Sequence, residues 1–356
     1  MSSNSYELKK QNCLPHGNLM NSDPRQMVST STLCVLLAVM VVLLFIASLA
    51  IGREPLPLLS TVSNMLQGDG GAHAIILSQI RLPRALIAVF AGASLGLCGA
   101  AMQGLLRNPL ASPGLIGSSS GAALFAVFTL YVGTAYLSPL VLPLAGMTGA
   151  LLATALVYVL AGRNASVTTL ILAGVAVNAI ATAGMSLLLN LAPSPYAVRE
   201  LVLWTMGDIT DRSMNDFWLM LPTTLLGWAL LMGVGGKLDA LTLGERTALS
   251  MGVNPVTLRW RVFIAVSLAV GAAVSTTGMI GFVGLVVPHL LRPLVGHEPG
   301  KVLFTSAIGG AALLLAADVG VRILPTDPPL KVGVLTAMVG APFFLYLIIR
   351  SRRQYL

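Results

Sequence analysis

The stretch LCVLLAVMVVLLFIASLAI, Leu33–Ile51, carries neither a charge nor a proline or glycine break. A run of about 18 or more apolar residues is long enough to cross a hydrocarbon layer about 30 Å thick as a helix. Leu137–Ala161 and Leu303–Ala317 are also free of charge. A spanning β-strand needs only about 10 residues with strict alternation, and these runs do not alternate, so the spans are helices. The first run is not a signal peptide. About thirty polar residues precede it, from MSSNSYELKK onward, and more apolar runs follow.

Composition agrees. The chain is 56% hydrophobic and 10% charged, with a mean hydropathy of +0.85. A soluble domain carries about 25% charged residues, so this chain lacks the charge to cover a water-facing surface. Cys13, Cys34 and Cys98 show no paired spacing and give no sign of metal or redox chemistry.

Apolar runs read against polar breaks predict an all-α, polytopic protein with about ten spans, near 31–51, 82–105, 112–133, 138–161, 167–190, 217–235, 260–278, 280–295, 302–321 and 332–350. A polar leader over 1–30 and a basic tail over 351–356 flank this 31–350 unit. With the N-terminus in the cytoplasm, fourteen Lys and Arg fall on the cytoplasmic side and seven on the other. That is the bias that sets membrane topology, and it predicts both termini in the cytoplasm. The net charge of +8 then reflects contact with an anionic inner leaflet and requires no nucleic acid.

Gradient-driven carriers usually place ionisable groups near the bilayer midplane. Among the acids here, only Asp318 falls inside a span, near its outer end. Arg322 follows four residues later on the same helix face, so a local ion pair is expected rather than a proton relay. GVGGKLD, at 233–239, lacks the GxxxxGK[ST] spacing of a phosphate-binding loop, so ATP-driven work needs another chain. His16, His73, His289 and His297 form no HExxH pair. No catalytic residue, metal site or cofactor is expected, and the chain does not read as an enzyme.

The longest polar stretch expected on the inner side runs from Lys237 to Arg261, with the segment 237–259 at its centre. It reads as a short helix with Asp239 as N-cap, Gly252 as a left-handed stop and Pro255 blocking continuation. Leu241, Ala248, Leu249 and Met251 would then be exposed apolar groups, and Gly244 would permit close approach. Such a patch suits either a partner protein or the lipid headgroups.

Five segments carry a resemblance. They are RLPRALIAVFAGASLGLCGAAMQGLLRNPLASPGLIGSSSGAA (Arg81–Ala123), LILAGVAVN (Leu170–Asn178), LTLGERTALSMGV (Leu241–Val253), GMIGFVGLVVPHLLRPLVGHE (Gly278–Glu298) and VGVLTAMVGAPFFLYLI (Val332–Ile348). Together they resemble the FecCD-like permease subunits of type II ATP-binding-cassette importers for iron–siderophores, haem and cobalamin. The resemblance runs from about residue 30 to the C-terminus. It implies a dimer with a pore at the subunit interface, a pair of ATP-binding subunits on the cytoplasmic face and a substrate-binding protein outside. It also implies multi-pass residence in a bacterial inner membrane. Leu241, Gly244, Glu245, Ala248 and Gly252 match the segment that contacts the ATPase.

Arg81, Arg84 and Arg322 match positions that pair with acids of the binding protein, although headgroup contact would also suit Arg81 and Arg84. Gly92, Gly96, Gly99, Met102 and Gln103 fall where the family places the pore and dimer interface, and plain packing within one chain is the alternative. Where the family usually reads Glu-Leu-Pro before the last span, this chain has Pro329-Leu330-Lys331. That exchange should add positive charge to the docking face. By family frequency the expected cargo is an iron–siderophore, then haem, then cobalamin. The alternative reading is a gradient-driven secondary transporter.

Overall fold

The computed structural model describes residues 29–52, 56–68, 71–134, 137–162 and 166–352. The leader through residue 28, Arg53, Arg163 and residues 353–356 of the tail lie outside the described residues. Among the described residues there is no strand. The helices are α1 (Thr30–Ala50), α2 (Leu58–Leu66), α3 (Ala72–Ile75), α4 (Leu82–Leu106), α5 (Ser118–Val132), α6 (Val141–Ala161), α7 (Val167–Asn190), α8 (Pro195–Thr205), α9 (Met214–Leu231), α10 (Gly235–Thr242), α11 (Glu245–Ser250), α12 (Pro255–Thr277), α13 (Val283–Leu291), α14 (Pro299–Ile323) and α15 (Val332–Arg352).

Each apolar run has a helix at its place. Six helical stretches are long and apolar enough to cross a membrane: α1, the continuous stretch Ala72–Leu106, α6, α7, α12 and α14. α9 and α10 would make a seventh as a pair bent by 46°. α5, Val283–Val295 and Val332–Tyr346 are shorter apolar helices. Hydropathy does not announce α2 or α8, which lie between the apolar runs.

α4 is the central element, buried along nearly all its length, whereas α1 buries only Leu33 and Ser48. Small residues explain how α4 approaches its neighbours. A Cβ on Gly92 would fall 2.8 Å from Leu314 Cβ and overlap the Gly310 carbonyl. One on Gly96 would overlap the Ser306 carbonyl, and one on Gly99 would come within 2.6 Å of Gly284 Cα. Backbone contact of this kind needs hydrogen in place of a side chain, the usual device of membrane helices. Met102 and Gln103 are likewise buried. The GASLGLCGAAMQG motif therefore packs α4 against α13 and α14 of its own chain. The expectation that these five residues line a pore or dimer interface meets no exposed side chain among them.

α7 fastens the turn between α4 and α5. Asn178 Nδ2 donates to the Gly114 carbonyl at 2.8 Å, and Ser120 Oγ donates to Asn178 Oδ1 at 2.5 Å. Thus LILAGVAVN and RNPLASPGLIG, distant in sequence, meet through one half-buried amide. On α9, Trp228 stacks on Phe90 with centroids 5.3 Å apart and donates to Ser94 Oγ at 3.0 Å.

Overfilling a packed contact costs about 1–3 kcal/mol, so Gly96→Val is expected to lower the melting temperature of the purified chain in detergent. Gly236 has open space around its Cβ position, so Gly236→Ala should leave melting unchanged or raise it.

Candidate functional site

One end of the bundle is organised around a buried carboxylate. Asp318, on the last turns of α14, is 0% exposed. Arg84 of α4 donates to its Oδ1 from Nε at 2.7 Å, with Nη2 also at 2.7 Å. Arg322, one turn further along α14, pairs with its Oδ2. The i,i+4 ion pair expected from sequence is present, with Arg84 added to it.

Arg322, together with Arg81, also caps α1. The last carbonyls of a helix have no partner within it, and α1 has no basic residue in its last turn. Arg81 Nη1 donates to the Leu49 and Ala50 carbonyls at 2.8 and 2.6 Å. Arg322 Nη1 donates to Ser48 and Ile51 carbonyls at 2.7 and 3.2 Å, and its Nη2 reaches Ser48 Oγ at 3.1 Å. The three guanidinium groups thus face one carboxylate and the negative end of a helix dipole. Arg81, Arg84 and Arg322, expected to face an incoming acidic protein, are turned inward and engaged within the chain. Sequence reading places arginines at the outer end of a span, but it cannot see that α1 ends beside them.

The route from α3 into α4 explains how Arg81 reaches α1. The helix is continuous from Ala72 to Leu106, so Pro83 lies inside it. Proline removes one N–H and crowds the carbonyl four residues back. The wider π turn at Ile76–Arg81 accommodates this, and Arg81 closes that turn.

Lys331 is also consumed internally. It pairs with Asp208 in the α8–α9 loop, and Gly333 N donates to the Gly207 carbonyl at 3.0 Å. The positive charge expected on a docking face is therefore neutralised by a carboxylate the sequence pattern did not flag. Burial raises the Asp208 pKa, but hydrogen bonds from Lys331 and Thr210 outweigh it and hold the carboxyl below its usual value.

The other end carries the segment between α9 and α12. It is two short helices rather than one. Gly244, at φ 102°, separates α10 from α11, and its Cβ position is open, so its role is the turn rather than close approach. Asp239 is not an N-cap of its own helix, because α10 begins four residues earlier. Its Oδ1 instead accepts from Gly300 N at 2.8 Å, capping α14. The left-handed stop is at Gly252, as expected: Gly252 N donates to Leu249 O at 3.0 Å and Val253 N to Ala248 O at 2.9 Å, the paired bonds of a Schellman ending. Glu245 pairs with Arg259 of α12 at 2.6 Å. Leu241 and Ala248 are buried and anchor the segment, contrary to expectation. The exposed apolar groups are Leu243, Leu249 and Met251, at 62%, 55% and 58%.

Between the two ends, α12 stops at Thr277 and α13 restarts at Val283. A cavity of about 190 Å3 lies at this break, lined by Leu95, Pro113, Met279, Phe282 and neighbours.

This polytopic bundle with a short two-helix knob matches a known family. The model of the FecCD transport family fits residues 40–350. The chain belongs to that family. A hemin transport system permease protein, HmuU of Yersinia pestis, is 38% identical, over 88% of this chain and 95% of the relative. The Fe(3+)-citrate import system permease protein YfmD of Bacillus subtilis is 34% identical over 91% and 97%. A vitamin B12 import system permease protein, BtuC of Vibrio cholerae, is 40% identical over 77% and 82%. A solved structure described as an inward-facing metal-chelate type ABC transporter superposes with a TM-score of 0.78. It is 31% identical and covers 90% of this chain and 99% of its own.

Removing the acid from a buried ion pair costs about 3–5 kcal/mol because the partner charges stay behind. Asp318→Asn should therefore destabilise the chain by that order, and Asp318→Asn with Arg322→Gln by less than the sum of the two, as read by denaturant unfolding. For Asp208 the folded pKa is depressed. Its contribution is present above the unfolded value of about 3.9 and is lost as pH falls through the folded one. The melting difference between wild type and Asp208→Asn should thus shrink below about pH 4.

Proposed function

We propose that this chain is the membrane-spanning subunit of an ATP-driven importer for a bulky metal chelate, working in a bacterial inner membrane as a dimer. The observation that supports it best is a family match spanning nearly the whole chain and nearly the whole of its relatives, combined with the exposed knob at α10–α11. Permeases of this family act with an ATPase and a substrate-binding protein, and the chain contributes the path rather than catalysis.

In this reading α10 and α11 face the cytoplasm and receive one ATP-binding subunit per permease. Leu243, Leu249 and Met251 would fill a groove on that subunit, an apolar patch of the kind that usually has a partner. Glu245 and Arg259 would hold the knob rigidly to α12, so that movement of the ATPase turns into movement of a spanning helix. The opposite end would receive the binding protein. Because Arg81, Arg84 and Arg322 are engaged internally, contact there would draw on their summed positive field, which steers encounter more than it adds affinity.

The relatives carry hemin, ferric citrate and vitamin B12 by name. What these cargoes share is size and a metal already wrapped by its ligand, so the path needs no cage of protein ligands. An iron–siderophore stands first as cargo, then haem, then cobalamin.

Leu249→Asp with Met251→Asp should abolish co-purification of the ATPase subunit while leaving the melting temperature of the permease within a few degrees, since both side chains are exposed. Retention of the ATPase by that variant would remove the knob from the coupling role. Uptake of a ferric siderophore, haem and cobalamin into cells carrying the complete system then ranks the cargoes.

A further inference from the structure

A cavity of about 280 Å3 opens where α4 ends, lined by Gln103, Arg107, Asn108, Thr242, Arg292 and His297 among others. Three of these are basic or imidazole groups, and no Asp or Glu lines the cavity. The nearby carboxylates are already engaged: Glu298 holds Lys301 at 2.8 Å, and Asp239 caps α14. The Arg107 guanidinium and the His297 ring have no side-chain partner among the described residues. Arg292 is held in place by Gln103, whose Oε1 accepts from its Nη2 at 2.5 Å while Gln103 Nε2 donates to the Leu285 carbonyl at 3.2 Å. One guanidinium offers five N–H donors, so that bond leaves most of them for another acceptor.

Backbone geometry gives a second, independent sign. Among the described residues four non-glycine residues have positive φ, and two of them, Arg107 at 49° and His297 at 64°, line this cavity. Beyond Gly, left-handed backbone is tolerated best by Asn, Asp and His, so of the two it is Arg107 that is unusual. Glycine would end α4 more readily, so arginine at 107 keeps a cationic side chain at a conformational cost. Strain of this kind collects at functional sites.

We propose that this cavity binds a phosphate-type oxyanion, either the headgroup of an acidic phospholipid or inorganic phosphate. Arg107 and Arg292 border the cavity with no acid in its lining, which favours an anion there, and a cavity several times the roughly 30 Å3 of one water admits a phosphate group. It opens where two long apolar helices, α4 and α14, end, the level at which basic pockets between helices meet lipid headgroups. The knob residue Thr242 forms part of the wall, so an occupant would touch both the bundle and the segment proposed for ATPase contact. The binding itself does not depend on the importer reading.

The test uses the full chain, purified in detergent and stripped of lipid. Phosphatidylglycerol is titrated against phosphatidylcholine by native mass spectrometry, and sodium phosphate against sodium chloride at equal ionic strength by thermal shift. Arg107→Asn with His297→Asn removes the two side chains without a partner, leaving Arg292, while keeping residues that accept left-handed backbone. It should weaken binding at least tenfold. Thr242→Glu, which supplies a carboxylate from the wall, should do the same in a chain that keeps Arg107, Arg292 and His297. Preference for phosphatidylglycerol alone identifies a lipid site, and saturation by phosphate alone a soluble-anion site. The proposal fails if wild type prefers neither over its control, or if a folded variant of either kind binds as wild type does.

Discussion

Asp318 is a carboxylate with no exposure, near the end of a helix read as spanning a bilayer. An ionised group there is tolerable only if its charge is met and its oxygens are bonded. Arg84 and Arg322 meet it from two directions, and Ser48 Oγ approaches Oδ2 at 3.5 Å. Because Arg322 also caps the carbonyls of α1, this carboxylate indirectly positions a helix that buries little else. α1, α4 and α14 are tied at one end by charge, while α4 and α14 are joined along their length by glycine contact. The two devices are complementary. Close packing sets the distance between helices, and directional hydrogen bonds set which ends meet.

The opposite end uses the same chemistry. Arg261 of α12 donates to the Leu230 and Met232 carbonyls at 2.5 and 2.7 Å, closing the end of α9. Asp239 closes the start of α14. Helix ends that cannot be satisfied locally are satisfied by side chains from other helices, which makes the knob of α10 and α11 a fixed part of the bundle. For a proposed importer this matters, because a loosely tethered knob would absorb the motion of a partner rather than pass it on.

Much of the architecture was legible in the sequence because one-dimensional hydropathy is a direct image of the bilayer. The runs at 31–51, 167–190 and 302–321 fall on α1, α7 and α14. The Asp318–Arg322 pair was legible because helical spacing alone brings i and i+4 together. What stayed hidden depends on tertiary neighbours. Arg84 joins Asp318 across 234 residues, and Lys331 finds Asp208 across 123. Asp239 resembled an N-cap because its residue type suits one, yet the N–H it satisfies belongs to α14. Leu241 and Ala248 looked exposed because the segment is polar on average, whereas the fold turns these two inward and leaves Leu243 outward. The stop at Gly252 was read correctly because a Schellman ending is a local event.

The central claim is that cargo crosses through this chain at the expense of ATP hydrolysed by a partner. The most direct measurement is chelate uptake by proteoliposomes holding the permease, its ATPase and the binding protein, with ion gradients collapsed by ionophores. The account predicts uptake that requires hydrolysable ATP inside the ATPase compartment and persists without any gradient. Uptake that stops when the gradients collapse, or that proceeds through the permease alone without ATP, would contradict it.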